Sequence, residues 1–434
     1  MRVWNVAGGG RLQGRIRVPG DKSISHRSVM LGSLAEGVTE VQGLLEGEDV
    51  LSTIAAFRSM GVTMEGPRDG ALRIRGVGLQ GLRPAPGALD MGNSGTAMRL
   101  LAGILAGQSF GSVLTGDASL QRRPMRRVAD PLTQMGARIE TAAGGVPPMV
   151  IAGAPLRGLR YRLPVASAQV KSAILLAGLY ATGTTTVEEP GPSRDHTERM
   201  LRGFGYAVDV AGPEITLTGG GRLRGRALEI PADLSSAAFF LVGAAAFPGS
   251  ELMLPHVGLN PTRTGILDIL EKMGADITIE NRREIGGEPV ADLKVRGRRL
   301  HGIAVPAQLV PLAIDEFPIL FVAAALAEGT TTICGAEELR VKETDRIAAA
   351  AAGLRALGVA VTEQADGVTI QGGILTPGTV DSHGDHRIAM AFAIAALAVS
   401  GTVIIKDCKN VDTSFPGFVD KARAVGLSIQ VTGE

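Results

Sequence analysis

Cysteine is nearly absent from this chain: Cys334 and Cys408 are the only two in 434 residues, and they form no paired motif. A disulfide scaffold and cysteine-built metal knuckles are excluded, and a reducing cytoplasm is the expected compartment. Aromatic residues make up only 3%, with Trp4 the single tryptophan, so few platforms exist for stacking nucleobases. The formal net charge is +1, which supplies no global field for nucleic acid. Lysine is scarce as well. The chain has eight (Lys22, Lys171, Lys272, Lys294, Lys342, Lys406, Lys409 and Lys421), and arginine carries most of the positive charge. Apolar runs are broken too often by Gly, Pro, Ser or acids to span a bilayer, and the opening MRVWNVAGGG lacks a signal-peptide core. Membrane and nucleic-acid partners are therefore not expected. Hydrophobic content of 45% and charged content of 20% fit a globular protein of two or three domains.

What the sequence does have is one phrase repeated six times. An extended apolar stretch meets Asp, Ser or Asn and runs into small apolar residues, beginning near Asp21, Asn93, Ser167, Asp233, Asp315 and Asp385. The copies lie roughly 70 residues apart, longer than a solenoid repeat, so each is expected to be a small subdomain. The small-residue run has no wet face and predicts a helix buried on every side. A second strand, an amphipathic helix and a final strand follow, as in GTTTICGA, VKETDRIAAAAAGLRALG and VAVTE of the fifth copy. The unit reads βαβαβ-like, and six units are expected to divide into two groups of three whose charged junctions line a cleft. Helix starts offer free N–H groups and a positive dipole end, which suit anions.

Several junctions carry candidate chemistry, each beside a plainer reading. Lys22, Ser23 and Arg27 converge on one anion if Ser23 begins a helix, whereas an N-cap with solvated charges fits the same string. Gly92 and Gly95 bracket Asn93-Ser94 and let backbone approach a ligand, or simply cap a helix. Arg122, Arg123, Arg126 and Arg127 form a local positive field, or a solvated face. Ser167 suits an N-cap, and Gln169 suits a carboxylate or hydroxyl; Asp195 and His196 read as a cap and a surface residue. Asp315-Glu316 interrupts an apolar stretch, so Asp315 must be a cap, be paired, or act on a ligand. Lys342 and Arg346 stand one helical turn apart with Glu343 between them, which is also how a charge-laced surface helix reads. His383, Asp385 and His386 have metal-like composition, but no third cluster completes a site and no metal is expected.

Taken together, DKSISHR, GNSGTAMR, QRRPM, SAQVKSA, RVKETDR and DHRIAM, in this order, resemble the 5-enolpyruvylshikimate-3-phosphate synthases nearly end to end. SAQVKSAILLAGL and PSRDHTERML look like the class II branch of that family. The resemblance implies a transferase with a two-domain inside-out α/β barrel of six repeats, three per domain. One lobe would span residues 20–229 and the other 1–19 plus 230–434, with the active site in the cleft between them. The implied reaction joins phosphoenolpyruvate to the 5-hydroxyl of shikimate 3-phosphate and releases phosphate, with no cofactor, in a cytoplasmic monomer of aromatic amino-acid biosynthesis. It implies that Lys22, Ser23, Arg27, Ser167, Ala168, Gln169, Arg194, Asp315 and Lys342 bind shikimate 3-phosphate. Lys22, Gly95, Arg123, Gln169, Arg346 and Arg387 would meet phosphoenolpyruvate. Asp315 would take the hydroxyl proton, Glu343 would protonate the methylene carbon, and Lys22 would reach the bridging oxygen.

The chain departs from the common pattern at a few places. Glu338 stands where many members carry Asn, and Thr413-Ser414-Phe415-Pro416 lacks a preceding Lys. Glyphosate-tolerant members carry Ala at the position of Gly95, and sensitive class I members carry Pro at that of Leu100. Glycine leaves room for the inhibitor, so inhibition by glyphosate is expected. UDP-N-acetylglucosamine enolpyruvyl transferase shares the architecture but usually carries a reactive Cys in the loop that here reads SLQRRPM. A non-catalytic anion-binding or RNA-end-binding repeat protein is the alternative outside enzymology, and it would need neither Asp315 nor Glu343.

Overall fold

The computed structural model describes residues 1–433, which fall into two compact units. One comprises Gly20–Ile230 with Ile285–Gly287; the other comprises Met1–Pro19, Pro231–Glu284 and Glu288 onward.

The helices of the Gly20–Ile230 unit are α1 (Lys22–Leu34), α2 (Glu48–Ser59), α3 (Gly95–Ala106), α4 (Arg126–Gln134), α5 (Ala168–Gly178) and α6 (His196–Gly203). Those of the other unit are α7 (Leu234–Ala245), α8 (Gly265–Lys272), α9 (Phe317–Leu326), α10 (Arg346–Ala356), α11 (His386–Ala395) and α12 (Phe418–Ala424). Helices alternate between inner and outer. Every residue of α7 is buried, as are nearly all of α3, α9 and α11, whereas α2, α6 and α8 keep a polar face. Small residues make the inner packing close: a Cβ on Gly103 of α3 would sit 2.1 Å from the Ala173 carbonyl oxygen of α5.

The second and third repeats run βαβαββ in unbroken sequence, and the others vary on that unit. In the second, Leu89–Asp90 pairs in parallel with Gly111–Thr115, which runs antiparallel to Val146–Ala152, which in turn pairs with Arg138–Ala142. In the first five repeats the expected single closing strand is a hairpin whose second arm lies beyond a turn and completes the sheet; the sixth keeps one closing strand, Ser428–Thr432. Three sheets borrow a strand distant in sequence, and in the fourth repeat it is Gln13–Arg15, parallel to Glu251–Gly258. Ala227–Glu229 joins Glu36–Gln42 in the first repeat, and the N-terminal Val3–Ala7 inserts between Thr402–Lys406 and Ser428–Thr432 in the sixth, with Val6 opposite Val403 and Ile429. Four of the scarce aromatics, Trp4, Phe240, Phe415 and Phe418, cluster beside that sixth sheet, where Trp4 stacks on Phe418 with ring centroids 5.4 Å apart.

The polar residue opening each copy is a helix cap in most cases. Asp21, Ser94, Ser167, Asp233 and Asp385 each accept a backbone N–H from the first turn of α1, α3, α5, α7 and α11. In the second copy the cap is Ser94 instead of Asn93. The fifth copy is the exception: Glu316 holds the cap position of α9 without a side-chain cap bond, and Asp315 before it pairs with Lys342 and Arg346.

Candidate active site

In the Gly20–Ile230 unit, the starts of α1, α3 and α5 bring several expected residues together. Lys22, half-buried, forms an ion pair with Asp49 of α2. His26, one turn further along α1, is fully buried; its Nδ1 lies 2.8 Å from Thr53 Oγ1 and its Nε2 3.4 Å from Ser94 Oγ. Burial, then the charges of Lys22 and Arg27, hold the ring well below the ordinary histidine pKa, with Asp21 opposing. His26 therefore works as a neutral strut between α1 and the cap of α3.

Ser94 in turn places Gly95, where a Cβ would meet Nη1 of Arg123 and Nη1 of Arg99, each at 3.2 Å. Arg123 donates to Asn93 Oδ1 at 2.6 Å. Arg99 donates to Gln169 Oε1 and, at 3.2 Å, to the Pro124 carbonyl, while Gln169 Nε2 donates to Thr96 Oγ1 at 2.9 Å. Gly95, Arg123 and Gln169 thus share one neighbourhood, joined by Arg99. The sequence reading gave Arg99 no role. Its signal was a cation on the buried helix that follows the glycine turn.

Arg27 turns inward. Its Nε donates to Thr197 Oγ1 at 2.7 Å, Nη2 to Ser172 Oγ at 2.8 Å and Nη1 to the Ser23 carbonyl at 3.0 Å. It therefore ties the start of α1 to α5 and α6. Ser167, Ala168 and Gln169 are half-buried at the start of α5, and Arg194 lies half-buried in the loop before α6. That loop is held by Ser193 donating to Glu189. Lys171, 1% exposed, sits between Glu189 Oε2 at 2.9 Å and Glu198 Oε1 at 2.6 Å. Burial raises the Glu189 carboxyl above its usual range, with Lys171 opposing. His196, read as a surface residue, is buried at the first position of α6.

In the other unit, Asp315, Lys342, Glu343, Arg346 and Arg387 form a charged cluster. Asp315 Oδ1 lies 3.7 Å from Lys342 Nζ and 3.6 Å from Arg346 Nη1, which answers the question left by the sequence: this carboxylate is paired. Arg346 Nη2 reaches Glu343 Oε2 at 2.6 Å, and Arg387 Nη1 donates to the Asp315 carbonyl at 2.9 Å. Burial would loosen the Arg346 proton, but Asp385, Glu343 and Asp315 outweigh it and hold the group more firmly charged than usual.

The single helical turn expected to carry Lys342 and Arg346 is absent. A 3₁₀ turn, Glu337–Val341, ends at extended Lys342, and α10 starts only at Arg346, because the Asp345 side chain caps it by accepting from Ala348 N. Lys342 and Arg346 converge on Asp315 all the same. Glu338 pairs with Lys342 at 3.9 Å.

Comparison with known proteins decides the family. The model of EPSP synthase (3-phosphoshikimate 1-carboxyvinyltransferase) matches residues 6–422. The chain belongs to the EPSP synthase family. It is 62% identical over 431 residues to the 3-phosphoshikimate 1-carboxyvinyltransferase of Methylococcus capsulatus and 65% identical over 431 residues to that of Acidithiobacillus ferrooxidans, covering 99% of both chains in each comparison. The solved EPSP synthase of Acinetobacter baumannii superposes with a TM-score of 0.90 at 53% identity over 100% of both chains. The enolpyruvyl transferase NikO of Streptomyces tendae, at 18% identity and a TM-score of 0.80 over 99% of both chains, shares the fold. The chain is accordingly a transferase of the shikimate route with the two-domain inside-out α/β architecture of EPSP synthases.

Proposed function

We propose that the two charged clusters divide the work of enolpyruvyl transfer from phosphoenolpyruvate to the 5-hydroxyl of shikimate 3-phosphate. Asp315 takes the proton of that hydroxyl as its oxygen bonds to C2 of phosphoenolpyruvate, and Glu343 gives a proton to the methylene carbon. In the elimination, a methyl proton returns to the carboxylate, the bond from C2 to the phosphate oxygen breaks, and phosphate leaves. Lys22 meets the bridging oxygen as charge builds there.

Substrate holding follows from charge. Lys22, Ser23, Arg27, Ser167, Ala168, Gln169, Arg194, Asp315 and Lys342 hold shikimate 3-phosphate. Lys22, Gly95, Arg123, Gln169, Arg346 and Arg387 hold phosphoenolpyruvate. Two highly anionic reactants repel each other, and forked guanidinium groups match both phosphate and carboxylate. Holding both reactants in register contributes on the order of 7–11 kcal/mol toward the barrier. Glu343 must carry a proton to act as an acid. Phosphoenolpyruvate competing for Arg346 relieves the ion pair that opposes this.

The observation that carries the reading is Asp315, half-buried, with Lys342 and Arg346 on one of its oxygens and Glu343 on the same arginine. The reading includes no metal and no organic cofactor, and a monomer acting in the cytoplasm without nucleic acid. Its support is the +1 net charge and 3% aromatic content, and among the described residues no helix is long and apolar enough to cross a membrane. Phosphate release by Asp315→Ala and Glu343→Gln tests it. Each substitution should lower turnover about 10²–10⁴-fold, as loss of a positioned acid or base does. Wild-type turnover in either variant would overturn the assignment of that residue.

A further inference from the structure

Glu316 has no place in the scheme above, yet it is one of the least exposed carboxylates of the chain, at 2%. It occupies the cap position of α9 without capping it. Burying a carboxylate is costly unless charge and hydrogen bonds compensate. The compensation here is specific. Glu316 Oε1 accepts from Ser235 Oγ and lies 3.8 Å from Nη1 of Arg387. Ser235 Oγ is also the acceptor of Arg263 Nη2, and the same nitrogen lies 2.8 Å from Asp233 Oδ1. Asp233 caps α7. A continuous polar chain therefore runs from the start of α7 through Arg263, Ser235 and Glu316 to Arg387 at the start of α11. Its last member donates to the Asp315 carbonyl at 2.9 Å.

We propose that Glu316 is a positioning residue that orients the Arg387 guanidinium for the phosphoenolpyruvate anion. This rests on the reading of Arg387 as a phosphoenolpyruvate ligand. One nitrogen of Arg387 is held from two sides, by a hydrogen bond to the Asp315 carbonyl at 2.9 Å and by the buried Glu316 carboxylate at ion-pair distance, 3.8 Å, and together they bias the orientation of the fork. Glu316 supplies the charged side. Its own rotamer is set by Ser235, which Arg263 holds from the other side. Arginine recognises an anion through fork geometry more than through charge alone, so losing that orientation weakens binding even though the cation remains.

The test separates positioning from simple support. Glu316→Gln keeps an oxygen for Ser235 and removes the charge beside Arg387. It should raise KM for phosphoenolpyruvate about tenfold, with KM for shikimate 3-phosphate changed less than about twofold and the thermal midpoint close to wild type. Glu316→Asp should recover part of that loss. Ser235→Ala, which leaves the carboxylate but frees its rotamer, should give a smaller shift of the same kind, and it serves if Glu316→Gln does not fold. Arg387→Lys is measured alongside. If it raises KM for phosphoenolpyruvate while a folded Glu316→Gln does not, the positioning role is wrong and the reading of Arg387 stands. If Arg387→Lys leaves that KM unchanged, the reading of Arg387 is wrong and the inference falls with it. Parallel loss of both KM values and of thermal stability in Glu316→Gln would show a structural role only.

Discussion

Arg346 Nε lies 2.8 Å from Asp385 Oδ2, and neither side chain is more than 1% exposed. Asp385 also caps α11 by accepting from the backbone N–H of Arg387 at 2.8 Å. One carboxylate thus fixes the start of α10, through its first residue, and the start of α11. The two functions are separable by substitution. Asp385→Asn keeps an oxygen for the cap but loses the charge facing Arg346, which retains Glu343 and Asp315 as partners. Urea unfolding should show a loss of about 1–3 kcal/mol, the cost of an imperfectly satisfied buried group. Asp385→Ala should lose about 1 kcal/mol more, the contribution of the cap.

His26 sets a pH dependence. Its native pKa is depressed by burial and by Lys22 and Arg27, so the unfolded chain binds a proton that the folded chain refuses. Stability is fully present above the ordinary value of 6.5 and declines as pH falls through the window between that value and the lower native one. The added slope is at most about 1.4 kcal/mol per pH unit for one such group. Chemical denaturation of His26→Asn across mildly acidic pH should give a flatter curve than wild type; parallel curves would count against the strut.

Lys171 is the one buried cation between Glu189 and Glu198 in the contacts described above. Lys171→Met should cost about 3–5 kcal/mol at neutral pH, as removing one partner of a buried ion pair does. The deficit should shrink toward acidic pH. Glu189 already has a raised native pKa, so its protonated form favours the fold below that value, and the benefit is lost as pH rises through it. Equal deficits at neutral and acidic pH would contradict this.

These three cases mark where the sequence is legible. The cap at Ser167 was readable, as were the helix starts that Asp21, Asp233 and Asp385 open, because a cap acts on N–H groups two or three residues away. The apolar helices were readable because burial on every side leaves no polar stripe. Partner choice was not readable. Lys171 finds Glu189 and Glu198 across a loop, and Arg99 finds Gln169 across 70 residues. The helix expected to hold Lys342 with Arg346 failed for a local reason: Asp345 is a better cap than an interior helical residue, and it starts α10 four residues late. Second hairpin arms such as Gly367–Gln371 were missed because a short strand after a turn has little pattern of its own.

Gly95 gives a prediction about inhibition. A methyl at this position would press on the guanidinium ends of Arg99 and Arg123 at 3.2 Å, closer than a relaxed contact. Glyphosate at millimolar concentration and limiting phosphoenolpyruvate should inhibit the wild type. Gly95→Ala should raise the inhibition constant more than the KM for phosphoenolpyruvate, because the longer molecule tolerates less crowding. Wild-type activity untouched by millimolar glyphosate would contradict the account.

The central claim is that these clusters serve one acceptor, shikimate 3-phosphate, with phosphoenolpyruvate as the donor. A coupled phosphate-release assay with phosphoenolpyruvate and either shikimate 3-phosphate or UDP-N-acetylglucosamine tests it most directly. The account predicts release with the first acceptor and none above background with the second. Release with UDP-N-acetylglucosamine, or no release with shikimate 3-phosphate from a folded protein, would contradict it.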